Sequence, residues 1–95
     1  MNSFIYKYSL ASKGSVHVDL PVGAQVLSVC EVAGELVVYA AIDPNTSNTE
    51  VHIFYVVGTG WPLAHEVATV DNRFVGTVPM SDGLVWHVFH FAPAA

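Results

Sequence analysis

Positive charge is what this sequence has least of. Lys7, Lys13 and Arg73 stand against eight acidic residues in a chain of 95, for a formal net charge of −5. Binding to duplex nucleic acid draws on many lysines and arginines that neutralise phosphates. Three dispersed cations exclude that class, though backbone amides and one arginine can still hold a small anion. Cysteine is nearly absent too. Cys30 stands alone, so no disulfide within the chain is possible. It falls in the apolar run 26–32, where a buried thiol acting as a small hydrophobe is expected. No apolar run nears the ~20 residues of a membrane-crossing helix. No secretory leader is expected either, because residues 1–8 lack a charged stretch followed by an apolar one.

What is abundant is hydrophobicity. Apolar residues make up 53% of the chain and charged residues only 12%, about half the usual charged share. A domain this small leaves roughly a third or more of its chain surface in water. Too few polar side chains are available to coat it. Some apolar surface is therefore expected to be covered by a second copy or a partner, and a homo-oligomer is the simplest form.

Residues 1–95 read as one domain of β-strands. β-Branched and aromatic residues dominate, and turn residues recur at short intervals. Strands are expected over residues 4–10, 16–20, 25–32, 35–42, 50–57, 73–80 and 83–91. Val16, Val18 and Leu20 alternate with His17 and Asp19, the signature of a half-buried strand. Ala33-Gly34 reads as a tight hairpin. Residues 43–49 form the most polar loop. Residues 63–70 are ambiguous between a short helical turn and an irregular crossing. Pro79 marks an edge strand or a bulge. About seven short strands with close turns predict an all-β fold, a compact antiparallel sandwich or small barrel. The strands at 35–42, 50–57 and 84–91 are apolar on both faces, so each needs cover on two sides.

Motifs for catalysis are sparse. Ser28, Cys30, Thr59 and Ser81 lie outside any nucleophile elbow. Asp71 and Asp82 read as loop residues. Five histidines invite a metal, but His87 and His90 are three apart on a strand and point to opposite faces. His52 and His87 are candidates for cross-strand neighbours, and no finger-like ligand spacing is present. No enzyme activity, cofactor or metal is expected. The most distinctive run is Gly58-Thr59-Gly60-Trp61-Pro62. Its glycines permit unusual backbone angles. Thr59 offers a hydroxyl and Trp61 a platform on which a base can stack. It lacks the spacing of a phosphate loop, and a structural corner with Trp61 capping the core is the competing reading. Phe4, Tyr6 and Tyr8 share one strand face, and Trp86 points away from Phe89.

Several blocks carry a resemblance. They are Phe4-Ile5-Tyr6-Lys7-Tyr8-Ser9-Leu10, the run from Asp19 to Val29, and Val38-Tyr39-Ala40-Ala41-Ile42-Asp43-Pro44. The Gly58–Pro62 corner, Phe74-Val75-Gly76-Thr77-Val78 and Leu84-Val85-Trp86-His87-Val88-Phe89 complete the series. In this order, over nearly the whole chain, they resemble a family of short proteins encoded by tailed phages and prophages. Histidine commonly stands at the position of Trp61 in that family, and a histidine-to-tryptophan change suits stacking or packing better than acid–base chemistry. The resemblance implies a phage accessory protein in the host-cell cytoplasm and brings no catalytic residues with it. The expected role is counter-defence: an oligomer that sequesters a small, nucleotide-like host immune signal. Gly58, Thr59, Gly60, Trp61, Arg73 and Tyr55 are the expected ligand-binding residues. The alternatives are an inhibitor that presses an acidic, aromatic face onto a host defence protein, and a structural module of the virion.

Overall fold

The computed structural model describes residues 3–68 and 73–93. Seven strands and one short helix follow one another: β1 (Phe4–Ser9), β2 (Gly14–Pro21), β3 (Gln25–Val32), β4 (Glu35–Ile42), β5 (Thr49–Gly58), α1 (His65–Ala68), β6 (Phe74–Pro79) and β7 (Val85–Phe91). They form two antiparallel sheets, ordered β1-β4-β3 and β2-β5-β7-β6. The two sheets pack as a sandwich, which decides against the barrel. The ambiguous segment resolves into the single turn of α1, whose Val67 is buried. Positions 69 and 70, and the loop acid Asp71, lie outside the described residues.

Local chemistry accounts for the strand boundaries. Between β3 and β4, Ala33 and Gly34 both take positive φ, +50° and +83°. Such a pair of left-handed residues turns the chain with the twist that a two-residue hairpin needs. Pro79 sits at the end of β6, the outermost strand of its sheet, where a missing N–H costs no ladder bond. A bulge between Phe74 and Gly76 interrupts that same edge.

Alternation then sorts the side chains. In the four-stranded sheet Val16, Leu20, Phe54, Val56, Val78, Trp86 and Val88 point inward, and Leu36 and Val38 of β4 meet them. Phe54, Val56, Val38 and Val88 are fully buried. Each such side chain stabilises the fold by roughly 1.5–3 kcal/mol. Glu31, on edge strand β3, ties the sheets together by accepting from the Ser81 N–H at 2.9 Å and the Ser81 hydroxyl at 2.6 Å. Phe4, Tyr6 and Tyr8 share one face, opposite Ile42, Ala40 and Val38. Burial, and then the neighbouring Tyr6, push the Tyr8 phenol above its usual pKa. Cys30 departs from expectation. It is half-buried rather than buried, because its strand is an edge of the smaller sheet and only β4 flanks it.

The opposite face of the four-stranded sheet is apolar as well. Register places Ile53 beside Phe91, Tyr55 beside Phe89, Val57 beside His87, and Phe74 beside Phe89. Val51 and Phe74 on this face are 47% and 54% exposed. No helix among the described residues is long and apolar enough to cross a membrane.

Candidate ligand-binding site

The corner after β5 is built around Gly58. That residue pairs with Trp86 at the end of the β5–β7 ladder. A Cβ on Gly58 would lie 3.0 Å from the Trp61 ring and 3.1 Å from Trp86. Only glycine leaves the space that the Trp61 indole fills. The Trp61 N–H donates to the Gly58 carbonyl at 3.0 Å, and the Thr59 N–H to the Val85 carbonyl at 3.2 Å. Gly60 takes φ +87° within this turn, a conformation natural to glycine. Trp61 thereby stands edge-to-face against Trp86, with centroids 5.1 Å apart at 84°. The Lys13 ammonium lies 4.7 Å from the Trp86 centroid, a cation–π contact.

Trp61 packs edge-to-face on the buried Trp86, and half of it (50%) remains in solvent. Two grooves of about 290 Å³ each adjoin its ring. One is lined by Val57, Leu63, Phe74, His87 and Phe89, the other by Gly83, Leu84, Val85 and Trp86. Beside the first, His87 is held between two hydroxyls. Thr59 Oγ1 lies 2.7 Å from Nε2 and Thr77 Oγ1 lies 2.9 Å from Nδ1. A neutral imidazole has one N–H and one lone pair, so one threonine accepts and the other donates. The result is an apolar slot with a short polar chain at its side.

The six expected site residues separate. Gly58, Thr59, Gly60 and Trp61 come together at the first groove. Arg73 does not join them. Its guanidinium lies over the Phe91 ring at 4.0 Å and lines a wider groove of about 680 Å³ with Val51, Ile53 and His90. Tyr55 sits between, half-buried beside Phe89, and lines neither groove. His87, Thr77, Phe74 and Phe89 were missed. Only the register of the bulged β6–β7 hairpin brings them to the corner, and no local motif announces it.

The suggested His52–His87 neighbourhood does not form. His52 points into the core, whereas His87 faces outward, because His87 pairs with Val57, an odd number of positions along β5 from His52, and successive side chains alternate faces. His52 instead meets His90, with Nδ1 to Nε2 at 2.8 Å and parallel rings 5.1 Å apart. His90 also stacks on Phe54 at 4.9 Å. Burial lowers the His52 pKa, with Glu50 opposing. Burial and then His52 bring His90 down to about 4. Among the described residues no group of three or more His, Cys, Asp or Glu side chains is arranged to hold a metal ion. Asp82 accepts the Leu84 N–H at 2.9 Å, which is turn chemistry.

A family model described as a domain of unknown function, DUF7352, matches residues 1–94. No curated protein and no solved structure matches the chain.

Proposed function

The chain belongs to the DUF7352 family, and we propose that it is a binding protein, not a catalyst, that holds a small planar ligand against Trp61. One observation carries this reading. The Trp61 indole is seated on a glycine, braced by Trp86, and left half exposed beside a slot with a hydroxyl–imidazole–hydroxyl chain. A ring locked by packing offers a stacking surface with little entropy left to lose. The slot's volume of about 290 Å³ lies at the small end for ligand pockets and suits one ring system, such as a nucleobase. Thr59, Thr77 and His87 supply donors and acceptors for its edge.

In the setting that the phage resemblance implies, the ligand is a nucleotide-derived immune signal of the host cell and the protein sequesters it in the cytoplasm. Copies of the chain associate through their apolar faces, consistent with the shortage of charged residues. The test is a fluorescence titration with purine mononucleotides and cyclic dinucleotides, paired with native mass spectrometry of protein from defence-active cells. Stacking contributes ~1–3 kcal/mol per base, so Trp61→Ala is expected to weaken binding roughly tenfold to a hundredfold. Protein that carries no added mass and shows no nucleotide-dependent quenching would remove this reading.

A second reading rests on the exposed apolar face around Val51 and Phe74. There the protein would press on a host defence protein instead. In that case Phe74→Asp abolishes inhibition of the defence system while Trp61→Ala leaves it intact.

A further inference from the structure

Strand β1 lies at the outside of its sheet, flanked by β4 alone. The Leu10 N–H donates to the Leu36 carbonyl at 2.8 Å. These two residues stand opposite each other in the register that runs from Phe4 and Ile42 to Ser9 and Val37. In an antiparallel ladder such bonded pairs recur at every second residue. Phe4, Tyr6 and Tyr8 therefore turn their backbone groups toward β4, and Ile5, Lys7 and Ser9 turn theirs away. Among the described residues, no backbone bond reaches the N–H or C=O of those three from outside the ladder.

Open edges invite the addition of another strand, and the other three edges of this sandwich are blunted. β6 carries a bulge and Pro79, β3 carries a bulge between Val26 and Ser28, and β2 carries Asp19 and Pro21. β1 has no bulge, proline or acid, and Lys7 is its one charge. Its apolar side chains are open as well. Phe4 and Tyr6 stay half in solvent although they lie on the core side of the sheet, and Ile5 on the other side is 63% exposed. The Phe4 and Tyr6 rings already stand edge-to-face, with centroids 6.5 Å apart.

We propose that two copies of the chain pair through β1, antiparallel about a twofold axis at Tyr6, and so join their three-stranded sheets into one continuous sheet. Backbone parity and charge select this register. Only outward residues set against outward residues complete the ladder. Centred on Tyr6, Ile5 of each copy meets Lys7 of the other, which gives about four backbone hydrogen bonds across the axis. Tyr6 meets its own counterpart and Phe4 meets Tyr8, at the non-hydrogen-bonded positions where side chains come closest. Centred on Lys7, the two ammonium groups would face each other, which is unfavourable. Centred on Ile5, the strands pair over a shorter length. Charge favours this strand too, because each copy carries −5 while β1 holds one of the three cations and none of the eight acids. Phe4, Ile5 and Tyr6 offer roughly 300 Å² per copy, against about 800 Å² in a standard interface, so the dimer is a reversible one. The inference rests on the association of copies in the reading above and on none of its ligand chemistry.

The test is sedimentation velocity of the full chain from about 1 µM to about 1 mM, with variants at the exposed Ile5, whose replacement leaves the core alone. The natural chain is expected to pass from monomer to dimer within that range. Ile5→Lys sets lysine against lysine on both sides of the axis and is expected to weaken the dimer roughly tenfold. Ile5→Glu sets opposite charges there and tightens it severalfold at low salt, a gain that high salt removes. In a Cys30→Ser background, Tyr6→Cys is expected to cross-link with its counterpart under mild oxidation, since facing Cα atoms lie about 4.5 Å apart. Ile5→Cys, two positions out of line with its counterpart, is not. The proposal is overturned if the chain stays monomeric, if Ile5→Lys dimerises like the natural chain, or if the two cysteine variants cross-link alike. None of these readouts involves Trp61, so a monomer that still binds a ring separates failure here from failure of ring binding.

Discussion

Acid should destabilise this fold through the His52–His90 pair, and the size of the effect follows from the geometry. Both imidazoles have folded pKa values below the ordinary 6.5, and His90 lies at about 4. Between those values the unfolded chain binds more protons than the folded one. Stability therefore rises with pH across this window and falls as pH drops from about 6.5 toward 4. The full displacement of His90 is equivalent to about 3 kcal/mol. Solvent reaches this half-buried ring, which reduces the expected contribution to roughly 1–2 kcal/mol. His52 acts in the same direction. The comparison is with the double variant His52→Phe/His90→Phe, which removes both partners at once and so strands no buried polar atom. Phe at position 90 keeps the stacking on Phe54. Urea unfolding at pH 7 and pH 4.5 should show the natural chain losing about 1–2 kcal/mol more than the double variant. Carboxylates elsewhere contribute equally to both proteins and cancel. Identical pH dependence in the two would refute the reasoning.

Gly58→Ala tests the corner directly. The added methyl displaces Trp61 and presses on Trp86, at roughly 1–3 kcal/mol of stability; tryptophan emission shifts to the red and ring binding is lost. Ala33→Asn probes the β3–β4 turn. Ala33 holds φ +50°, which asparagine tolerates better, so a gain of roughly 0.5–1 kcal/mol in urea unfolding is expected. A loss instead would mean that the turn relaxes in solution.

Much of the fold is legible before any coordinates. The bounds of β3 and β4 and the turn between them coincide with the sequence reading, because period-two alternation and left-handed turn residues act within a few positions. Other ends moved slightly. β2 begins at Gly14 and not at Val16, since its pairing with Val56 extends the ladder. Of the site, the Gly58–Trp61 corner was legible as a unit, because its glycines and its exposed ring are local features. Its partners His87, Thr77, Phe74 and Phe89 were not, nor was the distance that Arg73 keeps from it.

From the sequence by itself follow the all-β class, the approximate strand set and the alternation of faces. Each depends on composition or on neighbours along the chain. The tertiary structure alone decided which strands share a sheet, that the sheets form a sandwich and not a barrel, and that His52 meets His90 and not His87. Those choices depend on pairings between strands far apart in sequence, where a one-residue change of register exchanges every inward side chain for an outward one.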